Sequence, residues 1–160
     1  MANKMRWRYG DTKPILAAVD SAVVIEIGDL LYLNTDDVRP ASSQADGDGE
    51  TVNQETFADN FIGVAAQQSR NGDTDEIRVD TAGVFEFICA SATYEVGDNI
   101  GVDENADGDG LCDQTVAAVA DAEYAIAKVA RRATSATTTL FVEIESTVMH
   151  GGIAGGSPSG

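Results

Sequence analysis

Histidine, tryptophan, proline and cysteine are nearly missing from this chain: its 160 residues include one His, one Trp, three Pro and two Cys. A lone histidine, His150, leaves no multi-histidine metal site, and a His-based triad would hang on one residue just ahead of a Gly-rich segment, where an exposed position is expected. Cys89 and Cys112 match no zinc or redox spacing, which leaves two readings, a pair of small buried residues or one disulfide. Cations are scarce too, with Lys+Arg 10 against Asp+Glu 27 and a net charge of −17. A surface this negative repels phosphate backbones and anionic headgroups, so neither nucleic acid nor a membrane is an expected partner. No run approaches the roughly 20 apolar residues that cross a bilayer. The basic and aromatic stretch 1–10 is followed by no apolar signal core, so synthesis in the cytoplasm is expected. There is no Walker loop, no Gly-x-Gly-x-x-Gly and no Gly-x-Ser-x-Gly, and with so many acids the proximity of two carboxylates in sequence carries no information. These absences point away from an enzyme.

What is present suits a single folded domain. Hydrophobic residues make up 43% and charged residues 23%, enough to bury a core. Seven of the cations are Arg and three are Lys, while 17 of the acids are Asp and 10 are Glu. Salt screens the self-repulsion of such a surface, which fits a halophilic source as well as an acidic mesophilic one.

Residues 1–14 form the basic stretch, with Lys4, Arg6, Arg8 and Lys13 interleaved with Trp7 and Tyr9. They read as an extended N-terminal arm. Short apolar runs follow at 15–19, 22–27, 30–33, 61–66, 77–79 and 84–88, several with the period-2 alternation of half-buried strands, as in Glu76–Asp80 and Leu140–Glu145. Asp80-Thr81-Ala82-Gly83 reads as a turn between two of them. The segment 115–133 has helical propensity, but an internal repeat opposes a long helix. Glu26-Ile27-Gly28-Asp29 and the strand after it recur at Glu95-Val96-Gly97-Asp98, 69 positions on. If the halves are equivalent, 125–131 is a strand like 61–67, and helix is confined to one or two turns near 116–123. The expected fold is all-β: a small barrel or sandwich over 15–148 made of two related halves, about 15–90 and 91–148, with a Gly-rich tail at 149–160.

Two local patterns suggest binding. Asp103, Asn105, Asp107 and Asp109, with Gly108 at the sixth position of the run, resemble the first half of a calcium loop. Position twelve is Gln114 in place of the closing Glu, Asp113 is the available stand-in, and a solvated acidic hairpin is the competing reading. The run 46–50 is a weaker echo. The arm residues Lys4, Arg6, Trp7, Arg8 and Tyr9 combine the side chains that anchor protein interfaces, which suits docking of one end of an acidic body on another protein.

The run Gly10-Asp11-Thr12-Lys13-Pro14, the stretches 18–22 and 25–33, and Asn60-Phe61-Ile62-Gly63-Val64-Ala65 with Gly83-Val84-Phe85-Glu86-Phe87 resemble capsid cement or decoration proteins of tailed viruses, over about residues 10–148. The resemblance implies a small β-rich protein, often a homo-trimer, made in the host cytoplasm. It would sit on the outer surface of the virion, clamp neighbouring copies of the major capsid protein, and carry no catalytic residue and no cofactor. Removing residues 1–9 is then expected to abolish capsid binding and leave the fold intact. The rival reading is a secreted or surface calcium-binding β module using the 103–113 loop; a carboxylate-based hydrolase ranks below both.

Overall fold

A computed structural model describes residues 5–154. Its strands are β1 (Arg6–Tyr9), β2 (Ile15–Ala17), β3 (Leu30–Asn34), β4 (Asp37–Pro40), β5 (Phe61–Ala65), β6 (Ile77–Asp80), β7 (Ala82–Tyr94), β8 (Asn99–Glu104), β9 (Leu111–Ala118), β10 (Ala127–Val129) and β11 (Ala133–Glu145). Two helices join them, α1 (Glu50–Asn60) and the single turn α2 (Thr147–His150). The fold is all-β, as the alternating runs imply.

The strands form two sheets of one design. In the first the order is β2-β6-β5-β3-β4, and in the second β7-β11-β10-β8-β9, with β1 added outside β7. Each sheet curls until its edges meet. The second closes through a parallel pairing of β7 with β9 at Ile88↔Thr115 and Cys89↔Val116. The first closes through the Val38 N–H, which donates to the Ala18 carbonyl just past β2 at 2.9 Å. Substituting β2 through β6 for β7 through β11 maps one order onto the other, so the repeat visible in the sequence is a repeat of topology. The strand sets divide at Thr81, so residues 84–90 open the second half, where the sequence reading has them ending the first.

The repeated Glu-x-Gly-Asp is the same turn twice. Asp29 and Asp98 each accept a hydrogen bond from the N–H of the Glu three residues back at 2.9 Å, and each returns its own N–H to that Glu carbonyl at 3.1 Å. Gly28 and Gly97 stand at φ +98° and +91°, the left-handed region where a side chain is strained. Their N–H groups reach Ala65 O and Val129 O, the ends of β5 and β10.

Each barrel has its own core. Leu31, Val38, Ile62, Ile77 and Val79 fill the first, and Phe85, Phe87, Ile100, Val116, Leu140, Val142 and Ile144 the second. β5 is buried on both faces because Phe61 and Val64 join the second cluster while Ile62 and Ala65 stay in the first. A bulge at Ile62, where Leu31 faces Gly63 and Tyr32 faces Phe61, puts Phe61 and Val64 on the face that meets the second barrel and Ile62 and Ala65 on the face that lines the first.

Three expectations change. Residues 116–118, placed near a helix by propensity, finish β9, where Val116 is fully buried; only one turn of 3-10 helix follows at Ala122–Tyr124, and β10 is a strand as the repeat requires. α1 was not expected, because its buried face includes Asn53 and Gln54 beside Phe57 and Ala58 and so carries no apolar stripe. Asn53 instead bonds Gly47 and Asp46, and Gln54 donates to Val102 O across to the second barrel. Finally, His150 is half-buried on α2, with Nε2 2.9 Å from Thr81 Oγ1 at the junction of the barrels.

Candidate functional site

The arm of the sequence reading is, from Arg6 onward, a strand. β1 runs antiparallel to β7 with Arg6↔Glu86, Trp7↔Phe85 and Tyr9↔Val84, and an irregularity at Arg8. Lys4 lies outside the described residues. All four residues of β1 are exposed, and Met5 just before it packs against the core. Deleting residues 1–9 would therefore strip a paired edge and a core contact, a correction to the expectation that the fold is indifferent to it.

β1 does not act alone. The outer face of the second barrel is read across β10, β11, β7 and β1 by register: Lys128↔Glu143↔Val84↔Tyr9 is one row, and Phe141↔Glu86↔Arg6 the next. Arg8 Nε donates to Glu86 Oε1 at 3.1 Å, with a second bond from Nη2 to the same oxygen. These bonds hold the Glu86 carboxyl below the usual carboxylate range. The guanidinium carbons of Arg8 and Arg131 each lie 5.2 Å from the centroid of the Phe141 ring, so a half-buried aromatic ring meets two cations from opposite ends of the chain. Arg132 pairs with Glu95 at 2.8 Å. Two shallow grooves flank this centre. One of about 580 Å³ includes Tyr9, Lys13, Val96 and Lys128 in its lining, and one of about 340 Å³ includes Arg131, Arg132 and Phe141.

Charge is thereby segregated. Arg6, Arg8, Lys13, Lys128, Arg131 and Arg132 gather here with five acids, Asp11, Glu86, Glu95, Glu143 and Glu145. Setting aside Lys4, which lies outside the described residues, the other nine cations less these six leave three for the rest of the chain, and 27 acids less five leave 22. The face is close to neutral while the remainder is strongly acidic, and Tyr9 is 51% exposed on it; Trp7, opposite the core residue Phe85, is 53% exposed on the other side of β1. Large aromatics held in water beside arginines are the composition of an anchor. The sequence reading found Arg6, Trp7, Arg8 and Tyr9. It missed Lys128, Arg131, Arg132 and Phe141, although three cations within five residues at 128–132 were a visible signal in so acidic a chain.

The 103–109 loop connects β8 to β9 and is organised by Asn105. Its Oδ1 accepts the N–H groups of Gly108 and Asp109 at 2.8 and 3.2 Å, and its Nδ2 donates to Asp109 Oδ1 at 2.9 Å. Asp103 accepts from the Glu104 N–H, and burial pushes its carboxyl up. Asp113 faces away from the loop and accepts from Ser42 N–H and Oγ–H of the first half at 2.8 and 2.9 Å. Among the described residues no group of three or more His, Cys, Asp or Glu is placed to hold a metal. Cys89 and Cys112 are both free, so of the two readings of the cysteines the disulfide is not formed.

The fold and this face define a double-barrel, all-β protein with a near-neutral face, rich in arginine and aromatic side chains, on its second barrel. No protein-family model matches the chain, and no curated protein sequence does. Among solved structures it is similar to the N base of head fiber gp8.5 of bacteriophage phi29, with a TM-score of 0.42 and 16% identity, over 82% of this chain and 94% of that one. At that distance the likeness assigns nothing to individual residues.

Proposed function

We propose that this protein is a non-enzymatic cement or decoration protein of a viral head, which binds the outer surface of the icosahedral shell and stabilises contacts between major capsid protein subunits. The observation that carries the proposal is the face around Phe141: exposed Tyr9 with Arg6, Arg8 and Arg131, on a body whose other surfaces are acidic. Such a face leaves one orientation in which an acidic protein can approach a shell without charge repulsion. The motif resemblance to capsid cement proteins supports the same partner and a homo-trimer. A shell under internal pressure gains from any clamp that buries surface across its subunit boundaries, and many weak contacts repeated by symmetry suffice.

The test is co-sedimentation with purified shells from the source virus that lack this chain. Tyr9→Ala and Arg131→Glu are expected to lose binding at least tenfold while melting at the wild-type temperature, because both side chains are exposed. Binding by both variants at wild-type affinity would overturn the docking face, and failure of the wild-type protein to bind any shell would overturn the function.

A further inference from the structure

Phe141 stacks two arginines, and one of them holds a carboxylate while the other does not. Arg8 directs its Nε and Nη2 donors to Glu86. Arg132, next in sequence to Arg131, holds Glu95, and Arg39 and Arg78 of the first barrel hold Asp37 and Asp80. Among the described residues Arg131 has no hydrogen bond and no ion pair, only the Phe141 ring beneath it. Acids outnumber cations by 27 to 10 in this chain, yet none is placed on this guanidinium. Stacking fixes the guanidinium against the ring and leaves its N–H groups at the rim, a planar fork that matches a carboxylate. The groove of about 340 Å³ beside it is lined by groups that can donate, Arg131, Arg132 and the exposed hydroxyls of Thr134 and Ser135. The acid in that lining, Glu86, is taken by Arg8 and by the Thr139 side chain. On the other flank Lys13 and Lys128 share their groove with Asp11, Glu143 and Glu145, so an incoming anion is favoured beside Arg131 and not there.

We propose that Arg131 anchors a carboxylate of the partner: an Asp or Glu side chain of the shell protein enters the groove beside Phe141, takes the guanidinium fork and accepts from Thr134 or Ser135. This rests on the docking role proposed above and names the chemistry that the partner brings to one point of that face. A phosphate offers similar oxygens, but the phosphates of a nucleic acid come in rows, and such a row would cross a body of net charge −17. A single carboxylate on a protein surface meets no such barrier. Lysine would not serve in this place, because the planar group both lies on the ring and offers two parallel N–H bonds.

The isolated chain supplies the first test. Proton–nitrogen NMR of the arginine Nε–H groups is followed while sodium acetate replaces sodium chloride at constant ionic strength, with Arg131→Lys giving the assignment by loss of one signal. The Arg131 signal is expected to shift saturably and further than those of Arg8 and Arg132, whose donors are engaged. A shift no larger than that of Arg132 would overturn the site. Shells that lack this chain supply the second test. Converting their surface carboxylates to amides with a carbodiimide and ethanolamine is expected to weaken wild-type binding about tenfold or more. On untreated shells Arg131→Gln and Arg131→Lys are each expected to lose as much, and on amidated shells to lose nothing further. Losses that multiply, or undiminished binding to amidated shells, would overturn the anchor and leave the docking face standing. Wild-type affinity in Arg131→Lys would overturn the fork even where amidation damages the shells. A saturable acetate shift at Arg131 in a chain that binds no shell would uphold the carboxylate site and remove the docking role.

Discussion

Lys128 occupies in the second barrel the position that Val64 occupies in the first. Val64 pairs with Leu30, both fully buried, and Lys128 pairs with Asn99, its Nζ 3.3 Å from Asn99 Oδ1 in water. One repeat thus has an apolar outer pair where the barrels meet and a polar one where it faces solvent. Val64→Lys is expected to destabilise the fold by about 3–5 kcal/mol, the cost of an unpaired buried charge. Lys128→Val is expected to change stability by under about 0.5 kcal/mol. Urea unfolding of the two variants checks both, and equal effects would show that the barrels are not packed through this pair.

Asp29 is buried between the barrels, with Oδ1 accepting from Gln114 Nε2 and Oδ2 from the Glu26 N–H, each at 2.9 Å. Burial, with Asp113 and Glu26 nearby, raises its pKa from 3.8 to about 6 despite those bonds. The folded state therefore holds the proton more tightly than the unfolded chain. Its contribution favours folding increasingly as pH falls through about 6, is complete below the unfolded value near 4, and is absent at neutral pH. Urea midpoints are expected to rise from pH 7 to pH 5, and Asp29→Asn to flatten that rise. A variant with the full wild-type slope would assign the effect to other carboxylates.

Truncation after Tyr9 removes the β1–β7 pairing and the Met5 contact together. A loss of about 1–3 kcal/mol is expected, so the truncated chain is a poor reporter of binding by β1. Melting curves of the truncated and full chains decide this, and coincident curves would restore the picture of an independent arm.

A Cβ at Gly63 would overlap the Asp80 carbonyl oxygen and crowd Val79 across the β5–β6 pair. Gly63→Ala is expected to cost about 3 kcal/mol, measurable by denaturant unfolding, while Gly72→Ala, with open space around it, is expected to cost no more than the strain of its positive φ.

The hairpin at 103–109 is held by Asn105 through its own backbone. Asn105→Ala is expected to lower stability by about 1 kcal/mol to the same extent with calcium or with a chelator present. A calcium-dependent melting shift in the wild type, lost in Asp107→Ala, would instead support the calcium-module reading.

Much of this molecule is readable along the chain. The Glu-x-Gly-Asp turns are local chemistry, so their repetition survives in sequence and reveals two halves. Alternation at 76–80 and 140–145 marks strands with one wet face, and the unbroken apolar run at 61–65 marks a strand with none. α1 escaped because polar residues, Asn53 and Gln54, fill its buried face and are satisfied by partners remote in sequence. Trp7 and Arg8 were legible as an anchor by residue type alone; the cations at 128–132 were a visible cluster, but the stacking of Arg131 on Phe141 was not, since nothing local shows which ring a surface arginine meets.

By itself, then, the sequence determined the strand pattern, the turns and the strong excess of acid, because each depends on neighbours within a few residues. Tertiary structure decided which outer faces are covered and which cations share a surface. Leu30 and Val64 are dry because a second barrel lies over them, and Arg8 meets Phe141 because β1 and β11 are both neighbours of β7. Those are contacts between segments distant in the chain, 133 positions apart for Arg8 and Phe141, set by the closure of the barrels and invisible to any local rule.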